Sequence, residues 1–129
     1  MTEKILTIHP DGSYTLSELT SPDDPRPLHE AIGGGYLEPI DFDMNGSTLT
    51  AWVDEDGLLK KLDPNPPATW LLETLANTQL RNVLVGPVAF TGRKGTETVG
   101  VPEQVVTAAT NALDKLAART AQREQEATS

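Results

Sequence analysis

Cysteine is absent from all 129 residues. Disulfides, thiolate zinc sites and a cysteine nucleophile are thereby excluded, and the absence fits a reducing, cytoplasmic setting. No apolar run approaches the roughly 18 residues of a membrane span. No apolar h-region follows Met1-Thr2-Glu3-Lys4, so a signal peptide is not expected. Basic residues are scarce: 10 Lys and Arg face 19 Asp and Glu, a net charge of −9 with a pI near 4.5. Nucleic-acid phosphates repel such a surface, and Lys60-Lys61 and Arg93-Lys94 are too short to act as basic patches. The two histidines, His9 and His29, lack partners at metal-ligand spacing. Gly-x-Ser-x-Gly and His-Glu-x-x-His are both missing. No cofactor and no metal site are expected.

The acids that are present crowd into one stretch. Residues 18–63 carry Glu18, Asp23, Asp24, Glu30, Glu38, Asp41, Asp43, Asp54, Glu55, Asp56 and Asp63 against only Arg26, Lys60 and Lys61. Such a surface keeps a protein soluble, and it also attracts a basic partner.

The chain reads as one α+β domain over 1–119, followed by a polar tail at 120–129 that is expected to fray. Residues 4–8 are a strand. A loop of Pro10, Asp11 and Gly12 then sets a hairpin register of Ile8 with Tyr14, Leu6 with Leu16, and Lys4 with Glu18. Asp24 before Pro25 suggests an N-cap and a short helix to about Ile32. The second hairpin, 36–54, turns at Asn45-Gly46 and pairs Phe42 with Leu49, Ile40 with Ala51, and Glu38 with Val53. The opposite face then carries Asp41 with Thr50, Asp43 with Thr48, and Pro39 with Trp52.

Beyond this hairpin, residues 63–67 are too proline-rich for regular structure. A helix is expected at 68–77 with Leu71, Leu72 and Leu75 inward, and a strand at 82–90 with Pro87 marking a bulge or edge. A mobile loop is expected at 92–100, and a last helix from Pro102 with Val105, Ala109, Ala112 and Leu116 on one face. Together these predict a mostly antiparallel sheet of about five strands with two to three helices packed on it.

Two stretches mimic ligand motifs. Gly33-Gly34-Gly35 follows a helix and precedes a strand, the reverse of a phosphate loop, so these glycines read as a helix C-cap. Asp41-x-Asp43-x-Asn45-Gly46 begins like a calcium loop, but Trp52 stands where the bidentate Glu belongs. Glu38 is the singular residue: the register sets it on the apolar face between Tyr36 and Ile40. A carboxylate there is either a functional group or one that reaches water at the sheet end. Trp70 is expected to pack, and Trp52 to cover a helix or mark an interface.

The elements Gly34-Gly35-Tyr36-Leu37-Glu38, Asp56-Gly57-Leu58-Leu59, Pro64-Asn65-Pro66-Pro67-Ala68-Thr69 and Val85-Gly86-x-Val88 resemble the family called domain of unknown function 3846. The resemblance covers roughly residues 4–107. It implies a bacteriophage or actinobacterial mobile-element protein acting in the host cytoplasm, and supplies no reaction. Within it, Tyr36, Glu38 and Asn65 are candidates for a shared ligand pocket. The leading expectation is a non-enzymatic binding protein whose acidic side, with Asp41, Asp43, Trp52, Asp54, Glu55 and Asp56, engages a basic host protein by imitating phosphates. The alternatives are a domain that binds or sequesters a nucleotide-like ligand, and a weak hydrolase using Glu38 as base. Oligomeric state is open.

Overall fold

A computed structural model describes residues 3–21, 24–44 and 46–128, with side chains as far as Arg119. Strands β1 (Lys4–Ile8) and β2 (Tyr14–Glu18) pair antiparallel with Lys4 opposite Glu18, Leu6 opposite Leu16 and Ile8 opposite Tyr14. The turn chemistry therefore sets the register. After α1 (Arg26–Ala31), β3 (Leu37–Met44) and β4 (Ser47–Asp54) form the second hairpin, from Met44 opposite Ser47 to Leu37 opposite Asp54. Asn45 of the expected turn lies outside the described residues, as does Asp23 of the acidic stretch.

The chain continues through α2 (Pro66–Ala76), β5 (Val88–Lys94), β6 (Glu97–Val99) and α3 (Glu103–Thr128). The sheet order is β2-β1-β5-β4-β3, with β6 also paired to β5. All its pairings are antiparallel, and the fold is α+β. The two early hairpins lie on either side of β5.

Three expectations change. The strand foreseen at 82–90 begins only at Val88, because the preceding segment is tied instead to the start of α2, through a Pro64–Val85 bridge and Gly86 N–H donating to Asp63 O at 2.7 Å. The stretch expected as a mobile loop is the β5–β6 hairpin, with Lys94 opposite Glu97 across the two-residue turn Gly95-Thr96. Pro66 and Pro67 are not excluded from regular structure: they fill the first turn of α2, where no N–H is needed. Helix α3 continues as helical backbone to Thr128, through a run of good helix formers free of Gly and Pro. A smaller shift affects α1: its cap position is Pro25, and the Asp24 carboxylate accepts from Arg26 N–H at 3.1 Å and from the Arg26 guanidinium.

The sheet is covered on both faces. On one, Leu6, Ile8, Leu49, Ala51, Val53, Val88 and Phe90 pack against Leu71 and Leu72 of α2 and Val105, Ala109 and Leu113 of α3. Phe90 on the central strand is fully buried. On the other, the short α1 lays Leu28 with Ile32 over Ile5, Ala89 and Trp52. Helix α1 ends as foreseen at the glycines. Gly33 N–H donates to Glu30 O and Gly34 N–H to His29 O, with φ of 87° and 86° that L side chains rarely adopt. This is a Schellman motif.

Candidate functional site

Asn65 is the N-cap of α2 and is fully buried. Its side-chain oxygen accepts from Ala68 N–H at 3.1 Å, and its Nδ2 donates to Ile8 O and Gly86 O, each at 2.9 Å. One amide thus ties α2, β1 and the approach to β5 together. Thr69 extends the tie: its hydroxyl donates to Asn65 O and accepts from Leu84 N–H. Every polar position of the Asn65 side chain that the fold needs is used.

This sets Asn65 apart from Tyr36 and Glu38, the other two residues of the expected pocket. Tyr36 is 71% exposed and Glu38 is exposed, while Asn65 is sealed in the core with its amide occupied. The three do not form a pocket. Glu38 keeps its register opposite Val53 and reaches water because β3 is an edge strand. Pro39 is accommodated for the same reason, since an edge strand has one partner only. Glu38 borders a depression of about 170 Å³ with Ile40, Val53, Asp54, Glu55, Leu58 and the segment Asn82–Val85. Its ionisable lining groups are the carboxylates Glu38, Asp54 and Glu55.

The acidic patch also divides. Asp41 accepts from Thr50 Oγ1 at 2.7 Å and forms an ion pair with Arg93. Asp54 is nearly buried and bound to Lys60 Nζ at 2.7 Å; that hydrogen bond holds its carboxyl below the usual range, against the opposing effect of burial. The Asp43 carboxylate accepts from Gly46 N–H at 3.3 Å within its own hairpin turn. Trp52 is half-buried under α1, and its indole N–H donates to Thr91 Oγ1 at 2.9 Å. Asp41, Asp54 and Trp52 are therefore each engaged within the fold. Glu38, Glu55 and Asp56 enter no ion pair among the described residues.

Beside these free acids stand exposed apolar side chains, two of them from the motif Asp56-Gly57-Leu58-Leu59. Leu58 is 76% and Leu59 84% exposed, and Val83 is also exposed. Leu58 and Val83 share the rim of the depression with Glu38 and Glu55, and Glu55 N–H donates to Tyr36 O at 2.8 Å. The motif glycine Gly35 supports this corner: a methyl group there would lie under 3.0 Å from both Asp54 carboxylate oxygens. His29 fixes the same segment, its Nδ1–H donating to Gly35 O at 2.8 Å. His9 only neighbours Thr15 Oγ1, at 3.2 Å. Neither histidine belongs to a metal cluster, and no group of three or more His, Asp or Glu that could hold an ion occurs among the described residues.

Gly35 and the Leu58 turn flank Asp54, and Asn65 anchors the next segment, so the sequence elements Gly34–Glu38, Asp56–Leu59 and Pro64–Thr69 converge around one end of the second hairpin. The family model described as Domain of unknown function (DUF3846) matches residues 1–114. The chain belongs to this family. The match takes in the whole sheet and the packed part of α3. No curated protein and no solved structure matches the chain. Among the described residues, no helix is long and apolar enough to cross a membrane.

Proposed function

We propose that this DUF3846 protein is a non-enzymatic, protein-binding accessory of a phage or mobile element, acting in the host cytoplasm. Its contact surface is the exposed end of the second hairpin. The observation that carries this reading is exposed Leu58 and Val83 on one rim with Glu38 and Glu55, which enter no ion pair among the described residues, with exposed Leu59 next to Leu58 in the chain and exposed Tyr36 tied to Glu55 through its backbone. Large apolar side chains concentrated at one corner mark interaction sites, and free carboxylates around them select a partner that is basic at its rim. Phosphate mimicry follows from the same acids, and the excess of negative charge steers the encounter.

The test is a pull-down from bacterial lysate at low and high salt, comparing the wild type with Glu38→Lys/Glu55→Lys and with Leu58→Ala/Leu59→Ala. One partner lost with salt and with both double variants supports the reading. A partner retained by both variants refutes it.

A second reading, binding of a small polar ligand, is favoured by a cleft of about 440 Å³ between α1 and the first hairpin. Thr7, His9, Thr15, Ser17, Thr20 and Glu30 line it. Thr7 is almost fully buried where it lines the cleft, between the polar side chains of His9 and Ser17. A thermal-shift screen with nucleotides and sugars tests this reading. A stabilising ligand abolished by Thr7→Val supports it, and an empty screen counts against it.

A further inference from the structure

A groove of about 690 Å³ runs between the start of α2 and the middle of α3, far in chemistry from the acidic corner. Its floor is Pro66, Pro67, Ala108 and Ala112, with Trp70 and Leu116 as its large apolar side chains. Trp70 was expected to pack. It is instead 47% exposed, because Ala68, Leu71 and Leu72 take the buried stripe of α2 and leave the indole on the flank.

The charge of this groove is opposite to that of the chain. Its ionisable lining residues are Lys115 and Arg119, and no acid lines it. Neither cation is in an ion pair among the described residues, whereas Arg26, Lys60 and Arg93 are all paired. The neighbouring Asp114 accepts from the Tyr14 hydroxyl at 3.2 Å, on the side of α3 that meets β2. On a protein of net charge −9, two unpaired cations at one end of an apolar groove are a selective feature.

We propose that the α2–α3 groove docks an acidic amphipathic helix of a partner protein. Its shape and its charge both favour this occupant. From Ala108 to Arg119 the groove follows α3 for about 16 Å, or roughly three turns, the length over which a helix presents apolar anchors at i, i+4 and i+7. Trp70 supplies a rigid aromatic wall of the kind that dominates binding energy in such grooves. Ala108 and Ala112 leave room for the anchors, and Lys115 with Arg119 meets carboxylates on the incoming helix. Together with the acidic corner, this gives the molecule two contact surfaces of opposite preference, as a bridging adaptor requires.

The test uses the full chain and a capped Glu/Ala helical peptide carrying Leu at i, i+4 and i+7, with the same peptide bearing Lys for Glu as control. The Glu peptide is expected to shift the Trp70 indole N–H and the backbone amides of Ala108, Ala112 and Leu116 in two-dimensional NMR. It should bind at least tenfold more tightly than the Lys peptide. Trp70→Ala should weaken it at least tenfold, and Lys115→Glu/Arg119→Glu should invert the peptide preference. Circular dichroism checks that each variant is folded, which the exposure of these side chains favours.

Equal binding of both peptides overturns the proposal, as does no binding or shifts confined to other surfaces. A poly(dT) oligonucleotide that displaces the Glu peptide from Trp70 would assign the groove to nucleic acid instead. Groove signals that move with protein concentration alone would assign it to a second copy of the chain, and both results overturn the proposal.

Discussion

Replacing Asn65 tests whether one buried amide organises the family-specific half of the fold. Asn65→Ala removes the N-cap acceptor for Ala68 N–H and the donors to Ile8 O and Gly86 O. Loss of a cap costs about 1 kcal/mol, and each buried carbonyl that loses its donor adds about 1–2 kcal/mol. The expected loss is therefore about 3–5 kcal/mol, a large part of the roughly 5–15 kcal/mol that holds a domain together. In urea, with a slope of about 1–3 kcal/mol/M, the midpoint should fall on the order of 2 M. Amide exchange at Ala68 should accelerate beyond the global loss of stability.

Asn65→Asp sharpens the test. The carboxylate keeps an acceptor for Ala68 N–H but turns its second oxygen toward two carbonyls. Burial and those oxygens raise its folded-state pKa above the unfolded value of about 3.9. The folded state then binds more protons, so stability grows as pH falls through the raised folded value and levels off below the unfolded one. The wild type has no titrating group at this position, so the difference between the two curves isolates the effect. A loss below about 1 kcal/mol for Asn65→Ala, or an Asn65→Asp variant as stable as wild type at pH 7, would refute the reasoning.

Other predictions concern the same corner and the far edge. Lys60→Met leaves Asp54 nearly buried without its cation. Asp54 is now held below its ordinary 3.8, so its contribution is present above that value and lost as pH falls through the lower folded one. In the variant the Asp54 titration, followed by carbon-detected NMR, should move up and acid unfolding should begin at higher pH; an unmoved Asp54 titration would contradict this. Gly35→Ala should force Asp54 aside and destabilise by about 1–3 kcal/mol in urea melts, with the Asp54–Lys60 pair broken; a neutral effect would show that the corner yields. Tyr14 has its phenol pushed above the usual 10, first by desolvation and then by Asp114. Its contribution to stability is thus present below that value and lost as pH rises through the raised one. Tyr14→Phe should remove this raised titration from the ultraviolet profile.

Hairpins were legible because turn and pattern agree locally. Pro10-Asp11-Gly12 fixed Leu6 opposite Leu16, and the alternation around Ile40 and Phe42 fixed Ala51 and Leu49 opposite them. The family membership was legible from short motifs around Gly35, Asp56 and Asn65. Regions that depend on distant partners were not. Pro66 and Pro67 look like helix breakers until Asn65 is seen capping them from within the core. The β5–β6 hairpin carried its own signal, Gly95 at the first position of a two-residue turn, but polar flanks at Arg93 and Lys94 obscured it. The acidic face divides for a physical reason: Asp41 and Asp54 look free in one dimension, and only the arrival of Arg93 and Lys60 pairs them. Tyr36 and Asn65 both stand out by motif, and one is a surface ring while the other is a structural clasp.

The placement of β5 has a consequence for synthesis in the cell. The two hairpins that leave the ribosome first share no strand pairing; each is joined to the other only through β5, which is made later. Both can form locally and early, but the facing edges of β1 and β4 stay unpaired until residues 88–94 emerge and slide between them. Closing the sheet is therefore a late, long-range event, and such events set the folding rate in sheet proteins. A chain stalled before Val88 has no route to the native sheet, whereas one stalled just after Val101 has every strand it needs.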